Sequence, residues 1–109
     1  MSATRHALYA RTAAGGPAAV EAQLVALQAE IALGGDDATV TVWSDVDTSG
    51  AGTPGPGLTA LLDEVERGVI DVVLVTALDR LGRSSQTVAE ILARARSAGA
   101  AVLIAEVAR

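Results

Sequence analysis

The sequence contains no cysteine. That excludes disulfides and thiolate metal sites, and the usage fits a cytoplasmic protein. It contains no lysine, so all eight of its cations are arginine. A phosphate loop of the Gly-Lys-Ser/Thr kind cannot be written without lysine. The single histidine, His6, leaves too little for a zinc site or a Ser-His-Asp triad. Phenylalanine is absent, and Tyr9 and Trp43 are the only aromatics, so the core must be built from Leu, Val, Ile and Ala. No apolar run approaches the roughly 18 residues that a membrane span needs. The opening MSATRHALYA reads without the apolar stretch of a secretory signal.

What is present suits one small folded domain. The chain has 109 residues, 50% of them hydrophobic, with a mean hydropathy of +0.40. Disorder does not combine with such a composition, and a chain of this size buries roughly two-thirds of its unfolded surface. The net charge of −5 makes it a poor general binder of nucleic acid, because backbone affinity scales with the phosphates neutralised. One phosphate could still be gripped locally, since the planar arginine fork matches its oxygens.

Hydrophobic spacing orders the chain. HALYAR (6–11) reads as a strand. Pro17 suits a helix start, and Val20, Leu24, Leu27 and Ile31 follow at helical spacing until Gly34-Gly35. TVTVWS (39–44) is a β-branched strand. The stretch 45–57, DVDTSGAGTPGPG, reads as a loop from its glycines and prolines. Leu58, Leu61, Leu62 and Val65 form a second helical stripe ended by Gly68. IDVVLVT (70–76) is the nearly continuous apolar run of a strand buried on both faces. Ser84 or Ser85 can cap a third helix carrying Val88, Ile91, Leu92 and Ala95, and AVLIAEV (101–107) is a last strand.

This alternation predicts an α/β fold of three layers, helices on both faces of a mostly parallel sheet of four to five strands. Ligands of such sheets lie beyond the carboxyl ends of the strands. Arg11, Asp45 and the pair Asp79-Arg80 fall there. Phosphoryl chemistry needs cationic donors where charge grows on nonbridging oxygens, and Arg11, Arg80 and Arg83 could supply them. Arg80 and Arg83 are three apart and would share a face on a helical turn. Asp79 could orient an arginine or move a proton. By spacing alone the bland alternative stays open: solvated loop arginines and a helix-capping aspartate.

Six stretches carry a family resemblance. YAR (9–11), EAQLVAL (21–27), SDVDTSG (44–50), PGL (56–58), the strand IDVVLV and above all LDRLGR (78–83) resemble the catalytic domain of resolvase/invertase-type serine recombinases. The likeness covers nearly the whole chain in the family's order. It implies site-specific DNA recombination. In that chemistry a serine cuts DNA and forms a 5′-phosphoserine link, subunits rotate within a tetramer, and the strands are rejoined without a cofactor. By resemblance, Arg11, Arg80 and Arg83 grip the scissile phosphate, and Asp79 is their acidic partner. Gln23, Asp45 and Ser49 are supporting polar residues by the same resemblance. DNA and a second recombinase subunit are the implied partners, with no membrane and no metal.

The sequence departs from the pattern in three places. The attacking serine stands in a YARVS-like run in the family, but here the run is YARTAAGG and Ala13 takes its place. A methyl group cannot attack phosphorus. Thr12 carries a hydroxyl, yet strand alternation directs it away from Arg11. A DRPGL-like run is replaced by TPGPGL, so Gly55 stands where a phosphate-binding arginine would be. Family members also continue into a long helix and a DNA-binding domain, which are not expected within residues 1–109. Catalytic inactivity is the expectation, with DNA binding weak or absent in this stretch. One alternative is a non-enzymatic pseudo-recombinase that pairs with itself or with an active recombinase. Another is a small α/β phosphate or nucleotide binder. For the latter, the literal GxGxxG at 50–55 follows the second strand rather than the first and contains Pro54. Asp45 and Asp47 are better read as turn formers than as half of a magnesium site.

Overall fold

The structure, a computed structural model, describes residues 4–12, 15–34, 38–46 and 55–105. Along them run β1 (Thr4–Arg11), α1 (Gly16–Gly34), β2 (Ala38–Asp45), α2 (Pro56–Glu66), β3 (Val72–Val75), a single 3-10 turn η1 (Leu78–Arg80), α3 (Ser85–Ser97) and β4 (Ala101–Ile104). Among the described residues the sheet has four strands in the order β2-β1-β3-β4, all parallel. Each parallel neighbour is reached through a crossover carrying a helix, as parallel pairing demands.

Register divides the sheet into two faces. Leu8 pairs with Val42 and Leu74, and Leu74 with Leu103. On that face α1 packs Val20, Leu24 and Leu27 against Leu8, Ala10, Leu74 and Ala105. The opposite face presents Ala7, Tyr9, Val73 and Val75 to Leu58, Leu61, Leu62 and Val65 of α2 and Ile91 and Ala95 of α3. The three-layer expectation is met, with one helix on one face and two on the other. Both cores are aliphatic apart from Tyr9 and the flanking Trp43. Each fully buried Leu or Val there contributes about 1.5–3 kcal/mol.

Element ends differ from the sequence reading in instructive ways. β1 begins at Thr4, two residues before the expected strand, because Arg5 is tied to Asp71. Arg5 N–H donates to Asp71 Oδ2 at 2.8 Å, its guanidinium donates to both carboxylate oxygens at 3.0 and 2.8 Å, and Asp71 N–H donates back to Arg5 C=O at 2.9 Å. β3 covers only Val72–Val75, shorter at both ends than the expected 70–76. α2 starts at Pro56, inside the stretch read as loop. Pro fits a first helical turn, and the cap comes from a side chain far off in sequence. Ser84 is the cap of α3, its Oγ accepting from Thr87 N–H at 3.1 Å. β4 is described as a strand only over Ala101–Ile104, and positions 106 and 107 of the expected strand lie outside the described residues.

Candidate functional site

The strands β1 and β2 end together, with Arg11 in register beside Asp45. Pairing between β1 and β3 runs from His6 to Leu8 and stops at Leu74. Past that point the N–H and C=O of Arg11 need other partners, since a buried backbone group left unpaired is costly. Gln23 of α1 supplies both. Its Oε1 accepts from Arg11 N–H at 3.2 Å, and its Nε2 donates to Arg11 C=O at 3.0 Å. One primary amide thus stands in for a strand.

The Arg11 side chain crosses to η1. Its Nε donates to the carbonyl of Arg80 at 2.9 Å, and an Nη donates to the carbonyl of Asp79. Arg11 is only 7% exposed. The contact is reciprocal: Arg80 Nη1 donates to the carbonyl of Arg11 at 3.4 Å, and its Nε reaches Thr76 Oγ1 at 3.4 Å. The Arg80 side chain keeps 34% of its surface open. Two arginines from segments nearly seventy residues apart therefore meet at the carboxyl edge of the sheet. One is buried and committed to carbonyls, and the other is open on one side.

Asp45 sits in the same corner, buried at 5%. Its carboxylate accepts from the Tyr9 hydroxyl at 2.7 Å, from Gly57 N–H at 2.8 Å and from Leu58 N–H at 3.0 Å. The last two are orphan donors of the first turn of α2, where a negative group is stabilised. Asp45 therefore caps α2 from the end of β2. Burial, then the hydrogen bond to Asp45 and its negative charge, push the Tyr9 phenol well above the ordinary tyrosine range. Space around this cap is tight. A Cβ at Gly55 would lie 2.7 Å from Asp45 Cγ, and one at Gly57 would lie 2.2 Å from the carbonyl oxygen of Ser44. Glycine is needed at both positions for close approach.

The remaining sequence-chosen residues divide. Asp79 is 76% exposed, 3.9 Å from Arg80 Nε, and meets Arg11 through its carbonyl rather than its carboxylate. The η1 turn ends at Arg80; Leu81 and Gly82 are buried and Arg83 lies beyond them, exposed. The three-residue spacing therefore does not by itself stack Arg83 on Arg80. Ala13, Ser49, Asp47 and residues 50–54 of the GxGxxG stretch lie outside the described residues. Thr12 is buried, with its N–H on the carbonyl of Asp45 at 3.2 Å. No group of three or more His, Cys, Asp or Glu among the described residues is placed to hold a metal. Among them, too, no helix is long and apolar enough to cross a membrane.

Two participants escaped the sequence reading. Tyr9 was legible only as part of YAR, although a lone tyrosine two residues before Arg11 on one strand shares its face. Thr76, at the end of an apolar run, gave no signal beyond ending it.

The family model described as Resolvase, N terminal domain matches residues 6–108. No curated protein matches the sequence. Among solved structures, the chain is similar to the C-terminal catalytic domain of ISC1926 TnpA, an IS607-like serine recombinase. The TM-score is 0.82 at 29% identity, over 95% of this chain and 71% of that one. The N-terminal catalytic domain of TP901-1 integrase gives 0.80 at 24% identity, over 93% of this chain and 76% of that one. A resolvase family site-specific recombinase from Streptococcus pneumoniae gives 0.76 at 19% identity, over 94% and 72% respectively. The last two are likenesses of fold.

Proposed function

The chain belongs to the resolvase family, matching its N-terminal domain over residues 6–108, and on that premise we propose that it is a recombination domain which holds a DNA phosphodiester without cutting it. The observation that carries this reading is the meeting of Arg11 and Arg80 at the carboxyl edge of the sheet, two residues before a position where the sequence has alanine. Cationic donors stabilise the charge that grows on a phosphate under attack. Without a hydroxyl at position 13 there is nothing to form the covalent link. One similar structure is a serine recombinase by name, and DNA is the substrate class that membership of the resolvase family implies.

The missing arginine has a physical counterpart. Because a Cβ at Gly55 would meet the Asp45 carboxylate at 2.7–2.8 Å, an arginine there requires the 55–57 segment to move off its cap. Restoring the nucleophile alone leaves this second gap. The N–H groups of Gly57 and Leu58 already serve Asp45. That argues against the alternative of a nucleotide bound at the start of α2.

The test is a cleavage assay on a nicked suicide substrate that traps covalent protein–DNA adducts. No adduct is expected from the chain as it stands, and none from Ala13→Ser by itself. An adduct formed by the unaltered sequence would sink the reading.

A second reading is favoured by one feature. α1 alone covers its face of the sheet, and the strand margins on either side of it stay bare, with Val40 at 41%, Val42 at 47% and Leu103 at 50% exposure. Exposed apolar strips of this kind fit an interaction surface. A non-enzymatic module that pairs with itself or with an active recombinase would use it. Sedimentation finding a monomer, both alone and beside a recombinase, would remove that reading.

A further inference from the structure

We propose that the outer edge of β2 pairs with itself: two copies of this chain join their β2 strands antiparallel about a two-fold axis through Thr41, and the two sheets become one. The proposal rests on the reading in which the domain pairs with itself, gives that reading a place, and is independent of the phosphodiester reading. Three observations lead to it. β2 is an end strand of the sheet, and among the described residues no strand pairs with its outer side. It is also long and unguarded. It runs eight residues beside β1 with no break in register, and it carries neither charge nor proline before Asp45. Edge strands that stay single are commonly short or bulged, or carry lysine or proline. Finally, its outward backbone groups can be identified. Asp45 C=O faces β1, accepting from Thr12 N–H at 3.2 Å. Alternation along the strand turns the N–H and C=O of Thr39, Thr41 and Trp43 the same way, and those of Ala38, Val40, Val42 and Ser44 outward.

The chemistry of the edge selects its occupant. Outward N–H and C=O groups are met by another extended strand, and β2 offers a charged strand no opposite charge. The stretch 38–44 is complementary to itself. With Thr41 opposite Thr41, Val40 meets Val42 of the other copy on the α1 face, and Thr39 meets Trp43 on the α2 face. Pairs of this kind are among the favourable cross-strand contacts. Val40 and Val42 are then the hydrogen-bonded pair, and Thr41 the closer pair on the axis. The start of α2 lies against the Ser44 carbonyl, so the ladder is carried by Val40 and Val42 of each copy. Both valines are exposed in the single chain, and pairing covers them. Seven residues span about 24 Å. A ribbon of that length falls short of the roughly 1,000 Å² of a stable interface, so the dimer is weak and concentration-dependent. Each copy carries a net charge of −5, which opposes it, and added salt screens that repulsion.

Backbone amide exchange of the unmodified protein, followed by NMR in dilute and in concentrated solution, provides the first test. The Thr39, Thr41 and Trp43 amides should be protected in both, and the Val40 and Val42 amides only in the concentrated one. Sedimentation should show a dimer that grows with protein concentration and with added salt. Substitution supplies a second arm, because Thr41 is exposed and can change with the fold kept, as circular dichroism would verify. Thr41→Lys and Thr41→Glu each set like charges across the axis and should weaken the dimer roughly five- to tenfold. An equal mixture of the two sets lysine against glutamate and should restore it. Val40 and Val42 amides that exchange at one rate whatever the concentration, or a mixture as weak as its parts, overturn this edge. A dimer unchanged in both variants overturns it too and leaves self-pairing to another surface. A monomer at every concentration and salt removes the self-pairing reading along with it.

Discussion

Tyr9 and Asp45 set the chemistry of the corner through one hydrogen bond between a buried phenol and a buried carboxylate. Three donors converge on that carboxylate: the Tyr9 hydroxyl and the N–H groups of Gly57 and Leu58. Removing the phenol oxygen leaves the two N–H groups of α2 in place, so Tyr9→Phe is expected to cost about 1–3 kcal/mol rather than unfold the domain. The proton linkage has a definite sign. A group whose pKa is raised by folding stabilises the protein below its unfolded value, here 10.0, and that contribution is lost as the pH climbs past it. Tyr9 is the only tyrosine, so the absorbance change on phenolate formation reports it alone. Phenolate should be absent from the folded protein at pH values where free tyrosine ionises, and should rise together with the loss of helical circular dichroism. Ionisation at the ordinary pH with the helices intact would contradict the burial of this pair.

At the scale of elements, the junction of β2 with α2 depends on two glycines that have no side chain to place. A Cβ at Gly57 would stand 2.2 Å from a backbone oxygen of Ser44, which cannot swing away as a side-chain tip could. Gly57→Ala must therefore push α2 off the end of β2, and a loss of about 1–3 kcal/mol is expected from such overpacking, read as a lower denaturant midpoint. An unchanged midpoint would mean the junction is looser than its geometry implies. This junction also marks how far the sequence could be read. The aliphatic stripes of α1, α2 and α3 and the apolar run of β3 were legible because helix and strand periods are local. A cap at Ser84 or Ser85 was legible for the same reason, and the structure uses Ser84. Asp45 could be named as a supporting residue, but its service to Gly57 and Leu58 could not, because that depends on how β2 and α2 pack. The site was legible in the same measure. Arg11 and Arg80 could be picked out by residue type, and their unequal exposure could not, since backbone carbonyls that accept from a side chain leave no mark in a sequence.

Over the whole molecule, the two edges of the parallel sheet are built differently. The carboxyl edge gathers Arg11, Arg80 and Asp45 around backbone groups, while the amino edge carries the forked pair of Arg5 and Asp71. That pair joins the starts of β1 and β3 across 66 positions of chain, and Asp71 C=O then accepts from Ala101 N–H at 3.0 Å, linking β4 to the same point. The side chains are 44% and 40% exposed, so solvent and salt screen them. Hydrogen bonds from the Arg5 guanidinium, then from its backbone N–H, hold the Asp71 carboxyl down to about 2 from an ordinary 3.8. A carboxylate depressed by folding stabilises the protein above its unfolded pKa and loses that contribution as the pH falls through its folded one. Part of the acid sensitivity of the domain should therefore lie between pH 3.8 and about 2 and belong to Asp71. Asp71→Asn should be less stable than the parent at neutral pH, and the gap between the two should close across that window. Added salt should narrow the gap at neutral pH as well. Denaturant midpoints of both proteins along an acid series would measure it, and parallel curves that never converge would place the acid sensitivity elsewhere in the chain.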